Sequence, residues 1–377
     1  MDPKISDSSD EPEHDLSSAY TQSFYDLLTH LKCSILASTY QAGYVIALRA
    51  TAGELNTHFR SFSRPMGIAA TQGRLAVGTS NAIIEFKNNP ALAQALSSTP
   101  PLDACYLPRN THFTGDIDIH EMAWGIKSDL ASPPSTANPT EPALPELWFM
   151  NTRFSCICTK DSEHSFAPRW RPTFIDGYSP QDRCHLNGMA LVDGTPRYVT
   201  ALGQSNEASG WRENKASGGI LIDIASGDVI CQGLSMPHSP RWHDGKLWIA
   251  ESGTGSIGIV DLTNGRYEPV TQLEGFTRGI DIIGPYAFVG ISQVRESAIF
   301  SGIPLADRIK DRVCGVSVVD LRNGNEIGFV RFKGSVQEIF AVQALPHQVP
   351  DLLEPDDDAI SSTFVLPDEA LTEVKWV

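Results

Sequence analysis

The sequence predicts an all-β protein, a six-bladed β-propeller closed by N-terminal strands that complete the last blade. One observation is a motif that recurs along the 377 residues, in which a short apolar strand, a glycine-containing turn and a second alternating strand follow each other. Repeats of roughly 40 to 50 residues are typical of propellers, where each repeat forms one four-stranded blade. The other observation is a group of extra strand-like segments near the N-terminus.

The motif begins six times. Clear copies are RPMGIAATQGRLAVGTS from Arg64, CHLNGMALVDGTPRYVTAL from Cys184, MPHSPRWHDGKLWIAESG from Met236 and FTRGIDIIGPYAFVGIS from Phe276. An interrupted copy starts at Asp118, and the first strand of another starts at Ser335. Alignment on the apolar positions places six residues at one equivalent point of the six repeats: Met66, His120, Asn187, His238, Arg278 and Gln337.

Composition explains the uneven spacing of the repeats. Between His238 and Arg278 the chain shows a minimal blade, with the alternating segment SIGIVDL, a turn at Asn264-Gly265 and an outer strand. The second repeat is longer because residues 128–145 form a Pro/Ser/Thr/Ala-rich segment that predicts a mobile loop. Residues 296–313 predict a short helical excursion within the fifth blade.

The sixth blade needs three strands from the other end of the chain. CSILASTY, YVIALRA and THFRSFS, within residues 33–63, supply them. Pairing the two ends removes the open edge that an unclosed ring would leave. We therefore expect an acidic disordered tail at residues 1–20, one propeller domain at residues 21–350 and a C-terminal extension at residues 351–377.

Charge and cysteine content narrow the function classes. The net charge is −16, from 29 basic and 45 acidic residues, which argues against a nucleic-acid partner. Apolar runs are too short to span a bilayer, so we expect no membrane partner, and the N-terminus has no secretory pattern. The seven cysteines lack zinc-ribbon spacing, and Cys156 and Cys158 share one face of a strand as buried thiols. We expect a cytoplasmic protein.

The six equivalent residues predict a constellation at the mouth of the central channel, because the first residues of the inner strands converge on the axis. Two imidazoles, two amides and a guanidinium are a costly lining for a purely structural channel. His185 and the carboxylates of Asp118, Glu121 and Glu338 flank them. We predict a metal site at His120, Asn187, His238 and His185. The alternative is a hydrated channel whose polar groups bind only water.

Three segments carry a resemblance to a known family. CHLNGMALVDG and MPHSPRWHDGKLWIAESG resemble the NGLA and DG…LW segments of the six-bladed gluconolactonase and senescence-marker propellers, and IHEMAW is similar to their EGPVW. In that family a Glu, an Asn and an Asp hold a divalent cation, and their places fall on His120, Asn187 and His238. Imidazoles in place of carboxylates imply a transition metal, Fe²⁺, Zn²⁺, Mn²⁺ or Cu²⁺, instead of Ca²⁺.

A narrower resemblance covers most of the chain. HEMAWG, CHLNGMA, PHSPRWH and GFTRGI resemble a bacterial family of uncharacterised propeller proteins. That family brings no established activity, so the resemblance supports the fold and leaves the reaction open.

Two function classes follow. One is a metal-dependent enzyme for a small-molecule or peptide substrate, hydrolytic or oxidative, in which Arg278 holds an anionic group and Glu121 or Glu338 moves a proton. The other is a non-catalytic propeller that binds a protein or peptide on one face. Metal content distinguishes the two classes.

Overall fold

The computed structural model describes residues 15–96, 98–128, 130, 145–293, 302–309 and 313–375. Six small antiparallel sheets follow one another around a ring, which confirms the six-bladed propeller. We number the blades in the order in which their inner strands occur in the chain.

Each of the first three blades has four strands, which follow one another from the channel outward. Blade 1 consists of Ile68–Thr71, Arg74–Gly78, Ala82–Asn88 and Ala104–Phe113. Blade 2 consists of Ile119–Ile126, Pro145–Asn151, Cys156–Thr159 and Ala167–Trp170. Blade 3 consists of Leu186–Val192, Thr195–Ala201, Gly219–Asp223 and Val229–Leu234.

The last three blades repeat the arrangement. Blade 4 consists of Pro237–His243, Lys246–Glu251, Ser256–Asp261 and Arg266–Gln272. Blade 5 consists of Phe276–Ile283, Tyr286–Ser292, Cys314–Asp320 and Asn325–Phe332. Blade 6 consists of Val342–Leu345, Ser34–Thr39, Tyr44–Thr51 and Glu54–Ser61.

Blade 6 confirms the predicted closure of the ring. Its inner strand comes from the C-terminal part of the chain and pairs in antiparallel fashion with Ser34–Thr39, so that Ile35 lies opposite Ala344. The three strands outside the inner strand lie within the predicted residues 33–63. The two ends of the chain therefore meet in one sheet, and the ring has no open blade.

Two short strands extend the outer edges of blades. Ser18–Tyr20 pairs with the outer strand of blade 5, and Pro350–Leu352 pairs in parallel with the outer strand of blade 1. The first of these lies inside residues 1–20, for which the acidic composition predicts a disordered tail. Composition alone does not show that Ser18–Tyr20 covers the edge of a sheet. Residues 1–14 lie outside the described residues. Asp351 joins blade 6 through Arg60, at 2.7 Å, and His58.

Helices cover the surface of the ring. They are Gln22–Leu31, Pro90–Ala95, the 3-10 helix Gly210–Asn214, Pro304–Arg308, Asp358–Ser361 and Asp368–Leu371. Pro304–Arg308 confirms a helical segment in the predicted excursion, whose residues 296–301 and 310–312 lie outside the described residues. Most of the predicted loop at residues 128–145 lies outside them as well. Within the described part of the chain, no helix is long and apolar enough to cross a membrane.

Apolar residues between adjacent blades form the core. Leu36, Ile83 and Phe149, for example, belong to one cluster that runs from blade 6 through blade 1 to blade 2. All seven cysteines are buried free thiols. The Sγ atoms of Cys156 and Cys158 lie 3.5 Å apart, which confirms that these two side chains share one face of their strand.

Candidate metal centre

β-Bulges occur where the inner strands present their polar residues to the channel. In blades 2 to 5 the pairing of the inner strand with its neighbour shifts register next to four residues: His120, Asn187, His238 and Arg278. A bulge bends the strand and re-aims a side chain, and it occurs often beside functional sites. Four of the six equivalent positions of the sequence motif therefore coincide with local irregularities of the sheet.

A cavity of about 280 Å³ opens at the mouth where these strands begin. Five of the predicted site residues line it: His120, His185, His238, Arg278 and Glu338. The other two, Asn187 and Glu121, line a smaller space of about 10 Å³, which shares His120, His238 and Arg278 with the cavity. That space has room for about one water molecule. We call the larger space the site cavity and the smaller one the constriction.

Asp118, His120 and His185 form a potential metal-binding group, because one ligand atom from each lies within 4.8 Å of the others. Asp118 and His185 occupy equivalent places in blades 2 and 3, each two residues before the bulged position. Both have left-handed backbone, with φ of 53° and 50°. Non-glycine residues adopt such backbone infrequently, and at functional sites it can hold side chains in place.

The imidazole of His120 is held by its Nδ1 atom. Nδ1 lies 2.9 Å from the carbonyl oxygen of Asp118 and 3.0 Å from Oγ1 of Thr152. A carbonyl oxygen only accepts, so Nδ1 carries the proton, and the Thr152 hydroxyl gives its own proton to the carbonyl of Leu186. Nε2 of His120 is therefore the nitrogen with a lone pair in the neutral ring.

The same arrangement is repeated in blade 4. Nδ1 of His238 lies 2.9 Å from both the carbonyl oxygen of Met236 and Oγ of Ser252, and Ser252 donates to the carbonyl of Thr277. His238 is therefore also protonated at Nδ1 and has its lone pair at Nε2. In each case a hydroxyl at the end of the second strand links the imidazole to the next blade.

His185 is oriented by a carboxylate that was not among the predicted site residues. Its Nδ1 atom lies 3.0 Å from both oxygens of Asp182, and Nε1 of Trp211 donates to Asp182 at 2.9 Å. A carboxylate on the second ring nitrogen is the usual support of a metal-binding histidine. Asp182 precedes His185 by three residues, which the sequence could have indicated, whereas the 3-10 helix that brings Trp211 to this place shows no such signal.

An aromatic ring packs against each imidazole. Phe340 contacts His120, Trp211 contacts His185 and Phe276 contacts His238, with ring centroids 5.0, 4.5 and 5.5 Å apart. These rings remove water from around the imidazoles. Tyr40, which stacks on Phe340, extends the apolar wall at the entrance.

Burial and positive charge keep two of the imidazoles neutral. Burial lowers the pKa of His120 and of His238 well below the ordinary value, and the guanidinium of Arg278 lowers both further. Burial raises the pKa of Asp118. Neutral imidazoles are the form that binds metals, and a bound cation would favour the ionised Asp118.

Arg278 is a buried cation with unused hydrogen-bonding capacity. Its side chain is 12% exposed, lies over Phe340 and reaches Glu338 only at 3.5 Å through Nη1. Its Nη2 atom is buried and has no hydrogen-bond partner among the described residues. Burial lowers the pKa of Arg278. A buried guanidinium nitrogen without a hydrogen-bond partner is costly unless a ligand supplies one.

The remaining two predicted residues are engaged in contacts within the protein. Asn187 donates to the carbonyl of Pro237 at 3.0 Å and accepts from Thr200 at 2.7 Å, which joins blades 3 and 4. Glu121 accepts from Arg241 at 2.9 Å, and burial raises the pKa of Glu121. Neither belongs to the group formed by Asp118, His120 and His185.

Residues 22–353 match the family DUF4915, whose description is "Domain of unknown function". The chain belongs to this family. Membership of DUF4915 agrees with the narrower resemblance, to uncharacterised proteins, and does not show the resemblance to gluconolactonase propellers. No curated protein sequence matches the chain significantly.

Solved structures share the shape of this DUF4915 protein at low sequence identity. One is titled "Crystal structure of Nidogen/Laminin Complex", with a TM-score of 0.50 and 10% identity over 84% of this chain and 99% of that chain. Another is a protein of unknown function from Bacteroides caccae, with a TM-score of 0.48 and 10% identity over 83% and 99% of the two chains. The first likeness supports the propeller fold and carries no function to this chain.

Proposed function

We propose that the protein is an enzyme that binds a divalent transition metal at Asp118, His120 and His185 and acts on a small molecule in the site cavity. The observation that carries the proposal is the proximity of these three ligand groups within a cavity that also contains His238 and Arg278. Three protein ligands leave coordination positions for water or substrate, as catalytic sites require.

The donor set suits a transition metal. Two imidazoles and one carboxylate are ligands that Zn²⁺, Fe²⁺ and Mn²⁺ accept, and the two-histidine, one-carboxylate set is common in iron enzymes and zinc hydrolases. Such a metal supplies Lewis acidity or an activated water. The hydrogen bonds on Nδ1 of His120 and His185 fix the orientation of both rings, so the site is organised before a metal arrives.

His238 lies in the same cavity and has its own lone pair at Nε2. We assign it as a proton acceptor beside the metal, or as a fourth ligand. Its Nδ1 proton is fixed by Met236 and Ser252, so the ring presents only Nε2 to a substrate. Its lowered pKa leaves the ring neutral, the form that a general base needs.

Arg278 and Glu338 complete the proposed chemistry. The buried Nη2 atom of Arg278 is suited to an anionic group of the substrate or to negative charge that develops during the reaction. Glu338 lies beside Arg278 in the cavity and is the carboxylate best placed to transfer a proton there. Glu121 lies at the constriction, where it is linked to Arg241.

Metal analysis of the untagged protein tests the proposal. Protein purified without chelators is analysed for Fe, Zn, Mn and Cu, and chelator-treated protein is titrated with Co²⁺, whose visible absorption reports the coordination. We expect one metal per chain, loss of binding in His120→Ala and His185→Ala, and weakened binding in His238→Ala. Asp182→Asn, which alters only the support of His185, should weaken binding by about 10- to 100-fold.

The matched control is His164→Ala. His164 is exposed, and within the described part of the chain its side chain bonds Asp161, so this change removes an imidazole that is not part of the site. Metal content that stays equal in wild type, His120→Ala, His185→Ala and His164→Ala would contradict the proposal. The polar channel would then be a hydrated structural feature of a binding scaffold.

A further inference from the structure

The shape and charge of the site cavity narrow the substrate class. Its volume of about 280 Å³ is at the small end for ligand pockets, which favours one small molecule and disfavours a peptide. Its walls combine aromatic side chains with charged groups. A single ligand has to satisfy both.

The charged groups of the cavity nearly balance. Three carboxylates, Asp118, Asp182 and Glu338, and two guanidiniums, Arg212 and Arg278, line it, for a net charge of −1. A divalent metal at the candidate centre would change this net charge to +1. A singly charged anion would then neutralise the cavity. A doubly charged phosphate would leave the cavity with a net negative charge, next to three carboxylates.

Arg278 identifies where the anion binds. Among the cavity-lining cations, Arg212 is on the exposed side and lies over Trp211 at 4.6 Å, whereas Arg278 is buried and its Nη2 has no hydrogen-bond partner in the described part of the chain. The short, charge-assisted hydrogen bonds of a guanidinium to a planar carboxylate are stronger than bonds to a neutral group. Arg278 lines the site cavity and the constriction together with His120 and His238, and Phe340 contacts both Arg278 and His120, so an anion on Arg278 would lie beside the candidate metal centre.

The apolar walls identify the rest of the ligand. Trp211, Phe276 and Met236 line the cavity together with Leu202, and these four residues pack in one apolar cluster with the helix Pro304–Arg308. The four residues of this wall come from blades 3 to 5, the part of the ring that also carries His185 and His238. An apolar or aromatic body would contact it while the anion remains on Arg278.

We propose that the substrate is a small monocarboxylate with an apolar or aromatic body, its carboxylate held by Arg278 beside the metal. This inference rests on the proposed function for the role of the metal, and on Arg278 and the apolar wall for the ligand. It excludes peptides by size and phosphate esters by charge.

Three probes that share a phenyl ring and differ in the attached group test it: benzoate, the neutral benzamide and phenylphosphonate. Binding is measured by calorimetry with Zn²⁺-loaded and with metal-free wild type. We expect benzoate to bind the Zn²⁺-loaded protein at least about tenfold more tightly than benzamide, because a hydrogen bond to a charged group contributes more than one to a neutral group. We expect a similar margin over phenylphosphonate, because its additional negative charge exceeds the single positive charge of the metal-loaded cavity.

Variants locate the carboxylate. Arg278→Met should abolish the preference for benzoate over benzamide and leave Zn²⁺ binding intact, and Arg278→Lys should restore part of it. Arg212→Met is the matched control: it removes the exposed cation of the same cavity, whose charge is screened by solvent, and should weaken benzoate binding less than Arg278→Met does. Melting curves confirm that each variant is folded, and if Arg278→Met does not fold, Arg278→Lys carries the comparison.

The outcomes separate the two proposals. Zn²⁺ binding with no preference for benzoate, or with a preference for phenylphosphonate, would overturn the substrate class and leave the metal centre standing. A preference for benzoate that depends on Arg278 in a protein that binds no metal would support the carboxylate site and refute the metal-dependent enzyme. A preference that survives Arg278→Met would overturn the assignment of Arg278.

Discussion

The two ends of the channel use charged residues in different ways. Next to the constriction, on the side away from the site cavity, in a region that we call the far mouth, the carboxylate of Glu121 is paired with Arg241, and Asp281 accepts from Gln343 and from the amide of Ala344. At the site cavity, Arg278 keeps an unpartnered nitrogen and the three imidazoles keep their Nε2 lone pairs, as far as the described residues show. Paired groups stabilise a fold, and unpaired groups are available to a ligand.

This difference suggests that the two regions of the channel have separate roles, stability at the far mouth and ligand binding at the site cavity. Arg241 donates to Glu121, to the carbonyl of Ile280 and to the carbonyl of Pro240, so that it connects blades 2, 4 and 5. At the site cavity, Arg278 lies over Phe340 and reaches Glu338 only at 3.5 Å, and both of these residues belong to the segment that leads into the neighbouring blade 6. Substitutions at the far mouth should therefore reduce stability, and substitutions at the site cavity should reduce ligand binding.

The largest expected effect on stability is that of Glu121→Gln. The change leaves the guanidinium of Arg241 without its carboxylate in a mostly buried place, and breaking such a pair from one side is strongly destabilising. We expect a loss of about 3 kcal/mol in the free energy of unfolding. Urea denaturation measures it, and metal content should stay at the wild-type level.

Glu121→Asp keeps the charge and shortens the side chain, so equal losses in Glu121→Gln and Glu121→Asp would indicate that the hydrogen bond to Arg241, and not the charge alone, carries the effect. A normal stability with lost metal binding would reverse the assignment of the two mouths. In that case Glu121 belongs to the site, in the proton-transfer role that the sequence predicts for it.

Asn187→Ala tests the boundary between the two regions. Asn187 lies at the constriction, and both ends of its amide are bonded to neighbouring strands. Its removal leaves the Thr200 hydroxyl and the Pro237 carbonyl unsatisfied in a buried place, so we expect a loss of about 2 kcal/mol in the free energy of unfolding. Metal affinity should change less than in His120→Ala. A larger loss of affinity with unchanged stability would make Asn187 a ligand, as the sequence predicts.

The sequence was sufficient for the ring and for part of the site. Repetition of the strand motif indicates the blades, and surplus N-terminal strands indicate the closure, because both are local patterns of alternating side chains. The motif also brought His120, His185, His238 and Arg278 to one cavity, since equivalent positions of different blades converge on the axis. The motif indicates only the approximate depth of each side chain in the channel.

Contacts that depend on irregular backbone could not be predicted. The sequence indicates Asp118 only as a flanking carboxylate, whereas the structure places it within the candidate metal-binding group, on left-handed backbone that a pattern of alternating strands does not indicate. Trp211 reaches Asp182 from a 3-10 helix in a loop of blade 3. Whether Asn187 uses its amide for a metal or for a neighbouring strand is likewise decided by distances of a few tenths of an ångström.

The response to acid provides a smaller test of the site cavity. The folded protein lowers the pKa of His238, chiefly through burial, so above about pH 6.5 both folded and unfolded chains hold a neutral ring. Below about pH 6.5 the imidazole of His238 is protonated in the unfolded chain and stays neutral in the folded chain, so the free energy of unfolding falls as the pH falls. The contribution approaches about 1.4 kcal/mol per pH unit until the folded pKa is reached.

His238→Ala should remove this contribution in the metal-free protein. Between pH 7 and pH 5.5, we expect the free energy of unfolding of wild type to fall by about 1 to 2 kcal/mol more than that of His238→Ala. Chemical denaturation at both pH values in the presence of a chelator measures the shift. Asn187→Ala, which removes no titratable group, is the control, and parallel curves for His238→Ala would show that the ring accepts a proton in the folded protein.

The smallest expected change is that of Arg278→Met, and its sign distinguishes the two mouths most sharply. Methionine keeps the contact with Phe340 while it removes a buried cation whose Nη2 has no hydrogen-bond partner among the residues that the structure describes. A group held ready for a ligand costs stability in the free protein, so its replacement by an apolar side chain should leave the free energy of unfolding unchanged or raise it by about 1 kcal/mol. Denaturation of Arg278→Met and of Glu121→Gln, measured side by side, compares the expected loss in the free energy of unfolding at the far mouth with the expected gain, or absence of change, at the site cavity. A loss of more than about 2 kcal/mol would mean that Arg278, like Arg241, holds blades together.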